Sequence, residues 1–445
     1  MKISPLKNFA ILTIAFISFC ITTAKSNMPD QSTYYYLRSN FYVDIFSNLS
    51  PQGDSLDFIF LYDIDYDNLV FQLNDEQKYF AVAKMEVTFK DENAITRKRI
   101  ITNDTVFADN YDETISKKLT FKNLQTFTLQ NSNYNVQAKL LNGKNKRTTN
   151  FETKIEAFSE KNRILYPYFL KNIENEQLKF IPFIRNNSVA FSSSYFSILI
   201  PAIIDDNETF KFVIKAQKGD KTREVWGKFD TIAGETEVLK NYQFTIDINA
   251  HNPIISLENT EFENKKALLK INLENTSFSP GTYELIIENT TTQEKHNFTF
   301  EVRWNDIPLS LSEVQYAVNS MYYILTDAEF SDINSGNNTK KYKKIIDYWK
   351  KFDPDPKTIY NEAMATYFNR VDYAFFNYRT LVEKDGAKTD RGKIYILNGA
   401  PDKIENDMTD KSHSEIWYYY NLKQKYTFNI ISVGNYKLKK IEEIE

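Results

Sequence analysis

Residues 297–325, NFTFEVRWNDIPLSLSEVQYAVNSMYYIL, hold the change on which the fold turns. Phe298, Phe300, Val302 and Trp304 alternate with Asn297, Thr299, Glu301 and Arg303. Successive strand residues point to opposite faces, so this is the pattern of a half-buried β-strand. After Pro308 the spacing lengthens: Val314, Ala317, Val318, Met321 and Leu325 recur at helical intervals. Ser310-Leu311-Ser312-Glu313 has the form of a capping box in front of that run. The chain is therefore expected to be mainly β before Pro308 and α+β after it.

The alternation extends upstream. Over 79–90, Ala81, Ala83, Met85, Val87 and Phe89 share one face of a single expected strand, with Lys84, Glu86, Thr88 and Lys90 on the other. Further strands are expected at 41–46, 56–63, 115–121, 136–141 and 151–157, which makes 27–158 a β-sandwich domain. The same pattern recurs at 180–184, 195–200, 210–216, 268–273, 283–287 and 298–304. Pro280-Gly281 turning into Tyr283, Leu285 and Ile287 resembles the late strands of immunoglobulin-like bacterial modules, so 159–307 is expected to be a second, immunoglobulin-like β-sandwich.

Downstream, 308–445 is expected to be an α+β domain. Its second helix carries Tyr342, Ile345, Ile346 and Trp349. A third is expected to start at Asp355-Pro356, bury Ala363, Tyr367, Val371, Ala374, Tyr378 and Leu381, and stop at Gly386. Strands are expected at 393–398, 415–420 and 426–432, with 437–445 left as a charged tail.

Residues 1–26 read as a signal peptide. Lys2 and Lys7 precede a run over 9–21 that is apolar but for Thr13 and Ser18, and Thr22-Thr23-Ala24 supplies small residues for cleavage. The run is shorter than the roughly 20 residues of a spanning helix, so no transmembrane segment is expected in the mature chain. Cys20 is the single cysteine and bulky Phe19 precedes it, which disfavours lipid attachment there. Removal of the leader leaves no thiol, which excludes disulfides and cysteine chemistry. A net charge of −4 argues against nucleic acid as a partner. His251, His296 and His413 stand apart, outside metal-ligand spacing, and no nucleophile elbow, phosphate loop or dinucleotide fingerprint occurs. No catalytic residue, metal or cofactor is therefore expected.

Glycine is scarce, 11 in all, yet Gly386, Gly392 and Gly399 fall close together. Tyr348-Trp349, Asp353-Pro354-Asp355-Pro356, Asn361-Glu362 and Tyr367-Phe368-Asn369-Arg370-Val371 come first. Gly386-Ala387-Lys388-Thr389-Asp390-Arg391-Gly392, Gly399-Ala400-Pro401-Asp402 and Glu415-Ile416-Trp417-Tyr418-Tyr419 follow in order. Together these strings resemble the GWxTD domain, with Ala387 where that family has its name-giving tryptophan. The resemblance implies an exported bacterial protein of Bacteroidetes-like organisms and implies no activity.

The candidate binding residues are Asp390, Arg391, Arg370, Asp402 and Trp417, the last as a possible wall. Arg391 has the donor geometry to hold a carboxylate or phosphate, with Asp390 orienting it. A strand starting at Lys393 would span roughly 23 Å and carry Asp402 away from Asp390. Strict geometry thus favours Asp390 with Arg391, and Arg370 with Asp402 near the other end. The function expected is that of a non-enzymatic envelope protein in the periplasm, outer-membrane-associated or at the cell surface, contacting an envelope protein or glycan. The alternative is an envelope enzyme acting on glycan or peptide through Asp390 and a neighbouring carboxylate.

Overall fold

The computed structural model describes residues 41–50, 52–116, 119–143, 150–219, 223–247, 253–260, 265–274, 277–409, 412–432 and 434–444. The expected signal peptide and Cys20 lie outside these residues. The chain divides into two compact units, with the break between Asn305 and Asp306.

In the β-rich unit some sheets bury both faces. The three-stranded sheet of Phe41–Leu49, Ser55–Asp65 and Thr120–Gln130 is the clearest case. One face, with Phe41, Val43, Phe58, Phe60, Tyr62 and Ile64, packs against Met85, Val87, Phe89, Tyr134 and Val136 of a four-stranded sheet. The opposite face, with Tyr42, Phe46, Ile59 and Leu61, packs against Tyr168, Leu170, Phe180 and Leu199 of a seven-stranded sheet. That sheet in turn meets a five-stranded one, where Phe169 and Phe300 lie 4.9 Å apart. Such double burial explains why Phe58-Ile59-Phe60-Leu61-Tyr62 is continuously apolar instead of alternating. Strands before residue 158 form the first sheets and strands after it the later ones, while one core cluster draws on both sets.

Two N-terminal expectations need correction. The strand over 79–90 is two strands, Tyr79–Ala83 and Met85–Lys90, in different sheets. At Lys84 the chain changes partners: the Asn142 side chain accepts its amide N–H and Leu141 donates to its carbonyl. Alternation persists through the change, so periodicity alone does not reveal it. The strand over 115–121 begins instead at Thr120, after a helical turn at Tyr111–Thr114 capped by Asn110.

The C-terminal unit mixes helices and one sheet. We label its helices α1 (Val314–Ser320), α2 (Asp327–Ile333), α3 (Asn338–Trp349), α4 (Glu362–Asn377) and α5 (Asp390–Asn398). Its antiparallel sheet runs Lys403–Thr409, Ser412–Tyr419, Gln424–Ser432 and Asn435–Glu443 in order. The expected strand over 393–398 is therefore the helix α5, and the charged tail is a strand. α4 starts at Asn361, whose side chain accepts the Met364 amide, and not at Asp355-Pro356; it ends at Asn377 and not at Gly386. The capping box at Ser310 is absent. The Leu309 and Ser310 amides instead donate to the Asp372 carboxylate at 2.6 and 2.8 Å, and the box belongs to α2, where Thr326 and Glu329 cap reciprocally.

Candidate functional site

The Gly386–Gly392 stretch is a docking device between helices. Asp385 caps the short turn Gly386–Lys388, and Thr389 caps α5 by accepting the Gly392 amide at 3.1 Å. A Cβ on Gly386 would lie 2.1 Å from the Ala374 carbonyl oxygen near the end of α4. One on Gly392 would lie 1.9 Å from the Gly386 carbonyl oxygen. Backbone meets backbone at both positions, so no side chain fits.

This packing sends Asp390 and Arg391 to different partners. Asp390 accepts the Leu438 amide at 2.8 Å, which ties α5 to the last strand. Arg391 reaches Glu415 at 3.3 Å, with 14% and 11% of the two side chains exposed. Its guanidinium lies 3.5 Å from the Tyr436 ring centre and 5.2 Å from that of Tyr378. Glu415 accepts a second hydrogen bond, 2.7 Å long, from the Trp417 indole. Trp417 is fully buried between Tyr378 and Phe428. Asp390, Arg391 and Trp417 thus belong to one cluster, in which Trp417 is core and not the wall of a cleft.

Arg370 and Asp402 lie elsewhere. Arg370 donates to the Leu397 and Ile396 carbonyls at 3.2 and 3.5 Å, which makes it the C-terminal cap of α5. It fits because Gly399, at φ +83°, has no Cβ; one would come within 2.9 Å of the guanidinium. Burial pulls the Arg370 guanidinium below its ordinary pKa. Asp402 is exposed and accepts the Tyr420 amide at 2.8 Å. The expected pairing of Arg370 with Asp402 is not formed among the described contacts.

Ala387, in the tryptophan's place, is buried, and Tyr323 covers it by donating to its carbonyl at 3.0 Å. Next to it, burial raises the Asp385 carboxyl pKa while a 2.9 Å hydrogen bond from Tyr316 opposes that rise. Glu415, Tyr436, Tyr378 and Leu438 were not anticipated as members of the cluster. A glutamate two residues from a buried tryptophan on one strand face was the available signal, since a buried carboxylate needs a partner. In the β-rich unit a cavity of about 240 Å³ is lined by Asn48, Asn241, Tyr242, Gln243 and Lys266 among others.

Residues 281–445 match the GWxTD domain family. The match begins at the last β-hairpin of the β-rich unit, Gly281–Asn289 and Lys295–Arg303. No curated protein matches the chain. Among solved structures, the serine-rich repeat protein Srr2 of Streptococcus agalactiae is similar at 7% identity and a TM-score of 0.15, over 59% of this chain and 92% of that one. No helix among the described residues is long and apolar enough to cross a membrane.

Proposed function

From the premise that residues 281–445 carry a GWxTD domain, we propose that this protein is a non-enzymatic interaction protein of the cell envelope. It is exported through the leader at 1–26 and resides in the periplasm or at the outer membrane or cell surface. Its contacts are an envelope protein or a glycan, made through the C-terminal unit, with the stacked β-sheets as a spacer. The observation that carries this reading is how the acidic and basic groups of the motif are engaged. Asp390 holds Leu438, Arg391 holds Glu415 and Asp402 holds Tyr420, each on this chain's own groups. A general base or nucleophile needs a carboxylate free to meet substrate. These carboxylates instead position α5 and the sheet, which supports a rigid module presenting its outer surface.

The test is affinity capture from solubilised envelope, paired with incubation of the protein with purified cell-wall fragments. A partner recovered in fixed stoichiometry supports the proposal. Turnover of glycan or peptide that disappears in Asp390→Asn overturns it in favour of an envelope enzyme.

A further inference from the structure

The loop between α4 and the Gly386 turn carries the most exposed large apolar side chains among the described residues of the C-terminal unit. Leu381 is 77% exposed and Val382 90%. The loop is closed, not slack. The Thr380 amide donates to the Glu383 carbonyl at 2.8 Å, and the Thr380 hydroxyl accepts the Val382 and Glu383 amides. A turn tied in this way holds two aliphatic side chains outward at its tip. The end of the last hairpin abuts it: a Cβ on Gly434 would lie 3.8 Å from the Arg379 carbonyl oxygen.

Charge decides what such a tip meets. Arg379 and Lys384 flank it in the loop, and Lys437 and Lys439 follow the adjoining hairpin end; all four are exposed. None of them has a carboxylate partner among the described residues. The acid of the loop, Glu383, turns back and accepts the Asp385 amide at 2.9 Å. The chain as a whole is negative, at −4, so this local excess of cations runs against the average. A convex tip offers no cleft for a peptide or sugar. An aliphatic tip flanked by cations that have no carboxylate partner among the described residues complements an anionic lipid surface, where alkyl groups enter the acyl boundary and ammonium and guanidinium groups stay among the headgroups. We propose that this tip, Leu381 and Val382, attaches the C-terminal unit peripherally to an anionic membrane. This goes beyond the partner-binding role proposed above and does not depend on it.

The test is co-sedimentation of the mature chain, recovered from its producing cells, with vesicles of phosphatidylcholine alone or mixed with phosphatidylglycerol. Binding to the mixed vesicles, weakened by salt, is expected. Leu381→Ser with Val382→Ser should lower it by about tenfold or more, since both alkyl groups leave the acyl boundary. Lys384→Gln should lower it by about fivefold. Because the tip residues are solvated, the double variant should melt as the unmodified chain does, which separates lost binding from lost folding. Retention of the unmodified chain in the supernatant with both vesicle types overturns the proposal, as does equal binding by the double variant. Capture of a protein through this tip without any lipid binding also overturns it, and makes the tip a protein contact.

Discussion

Glu415 is the residue on which the motif cluster depends, because one of its oxygens serves both Arg391 and Trp417. Glu415→Ala would leave a nearly buried guanidinium without its counter-ion and an indole N–H without its acceptor. A loss on the order of 3 kcal/mol is expected, with a smaller one for Glu415→Gln, which keeps an acceptor. Urea unfolding followed by tryptophan fluorescence measures both; equal stability of the alanine variant would show that the cluster is not a unit. In the β-rich unit, Asp44 and Asp63 face one guanidinium. Asp63 takes the 2.8 Å contact with Arg185, and burial raises the Asp44 carboxyl from 3.8 to about 7 against the Asn187 amide bond. A raised carboxyl pKa means that the folded state binds the extra proton between those two values. Stability should therefore be greatest at the acid end of that window and fall as pH rises through about 7, by a few kcal/mol at most. Asp44→Asn keeps an oxygen for Asn187 and should flatten the slope in denaturant midpoints taken across the window.

At the scale of elements, α5 shows which information a sequence carries locally and which it does not. Lys393 to Asn398 reads as a strand because Ile394 and Ile396 are β-branched, alternate, and are both buried. Over six residues that pattern does not separate strand from buried helix. Thr389-Asp390, an N-cap followed by an acid in the first turn, was the helix signal. The C-terminal stop was legible only in part: Gly399, at φ +83°, ends α5 as a glycine the sequence displays, while Arg370 caps its last carbonyls from 26 and 27 residues away. The Gly386 and Gly392 concentration was legible as a backbone constraint, and close approach is its cause. The division into a β-rich region and an α+β region was legible from the change of period at Pro308. The partner switch at Lys84 was hidden because both sheets present the same face to the core. Thr389→Ala should cost about 1 kcal/mol, since α5 loses its N-cap. Gly392→Ala should cost about 3 kcal/mol or more, since its Cβ has only backbone to displace. Thermal melts order the two; a Gly392→Ala variant as stable as Thr389→Ala would mean that the α5–turn contact relaxes freely.

At the scale of the whole chain, the family match and the compact units do not share a boundary. The match starts at residue 281, while the units part between Asn305 and Asp306. Packing decides which boundary a folded fragment obeys. Gly281–Asn289 pairs along its length with Phe210–Ala216, and Lys295–Arg303 pairs with Val189–Ala190, so both strands belong to the five-stranded sheet. Tyr283, Leu285, Ile287 and Phe300 from this hairpin are buried in that sheet's core. A fragment beginning at 281 would carry those side chains without the sheet that covers them, and an exposed apolar hairpin invites aggregation. A fragment beginning at Asp306 retains the Asp372 cap on Leu309 and Ser310, the α4–α5 contacts and all four strands of the C-terminal sheet. Limited proteolysis should therefore cut close to residue 305 and leave a resistant C-terminal piece. Expressed alone, 306–445 should be monomeric and melt in one cooperative transition, and 281–445 should gain no stability and show self-association in sedimentation. Cooperative folding of 281–445 but not of 306–445 would place the hairpin with the helices, and the division at 305 would then be wrong.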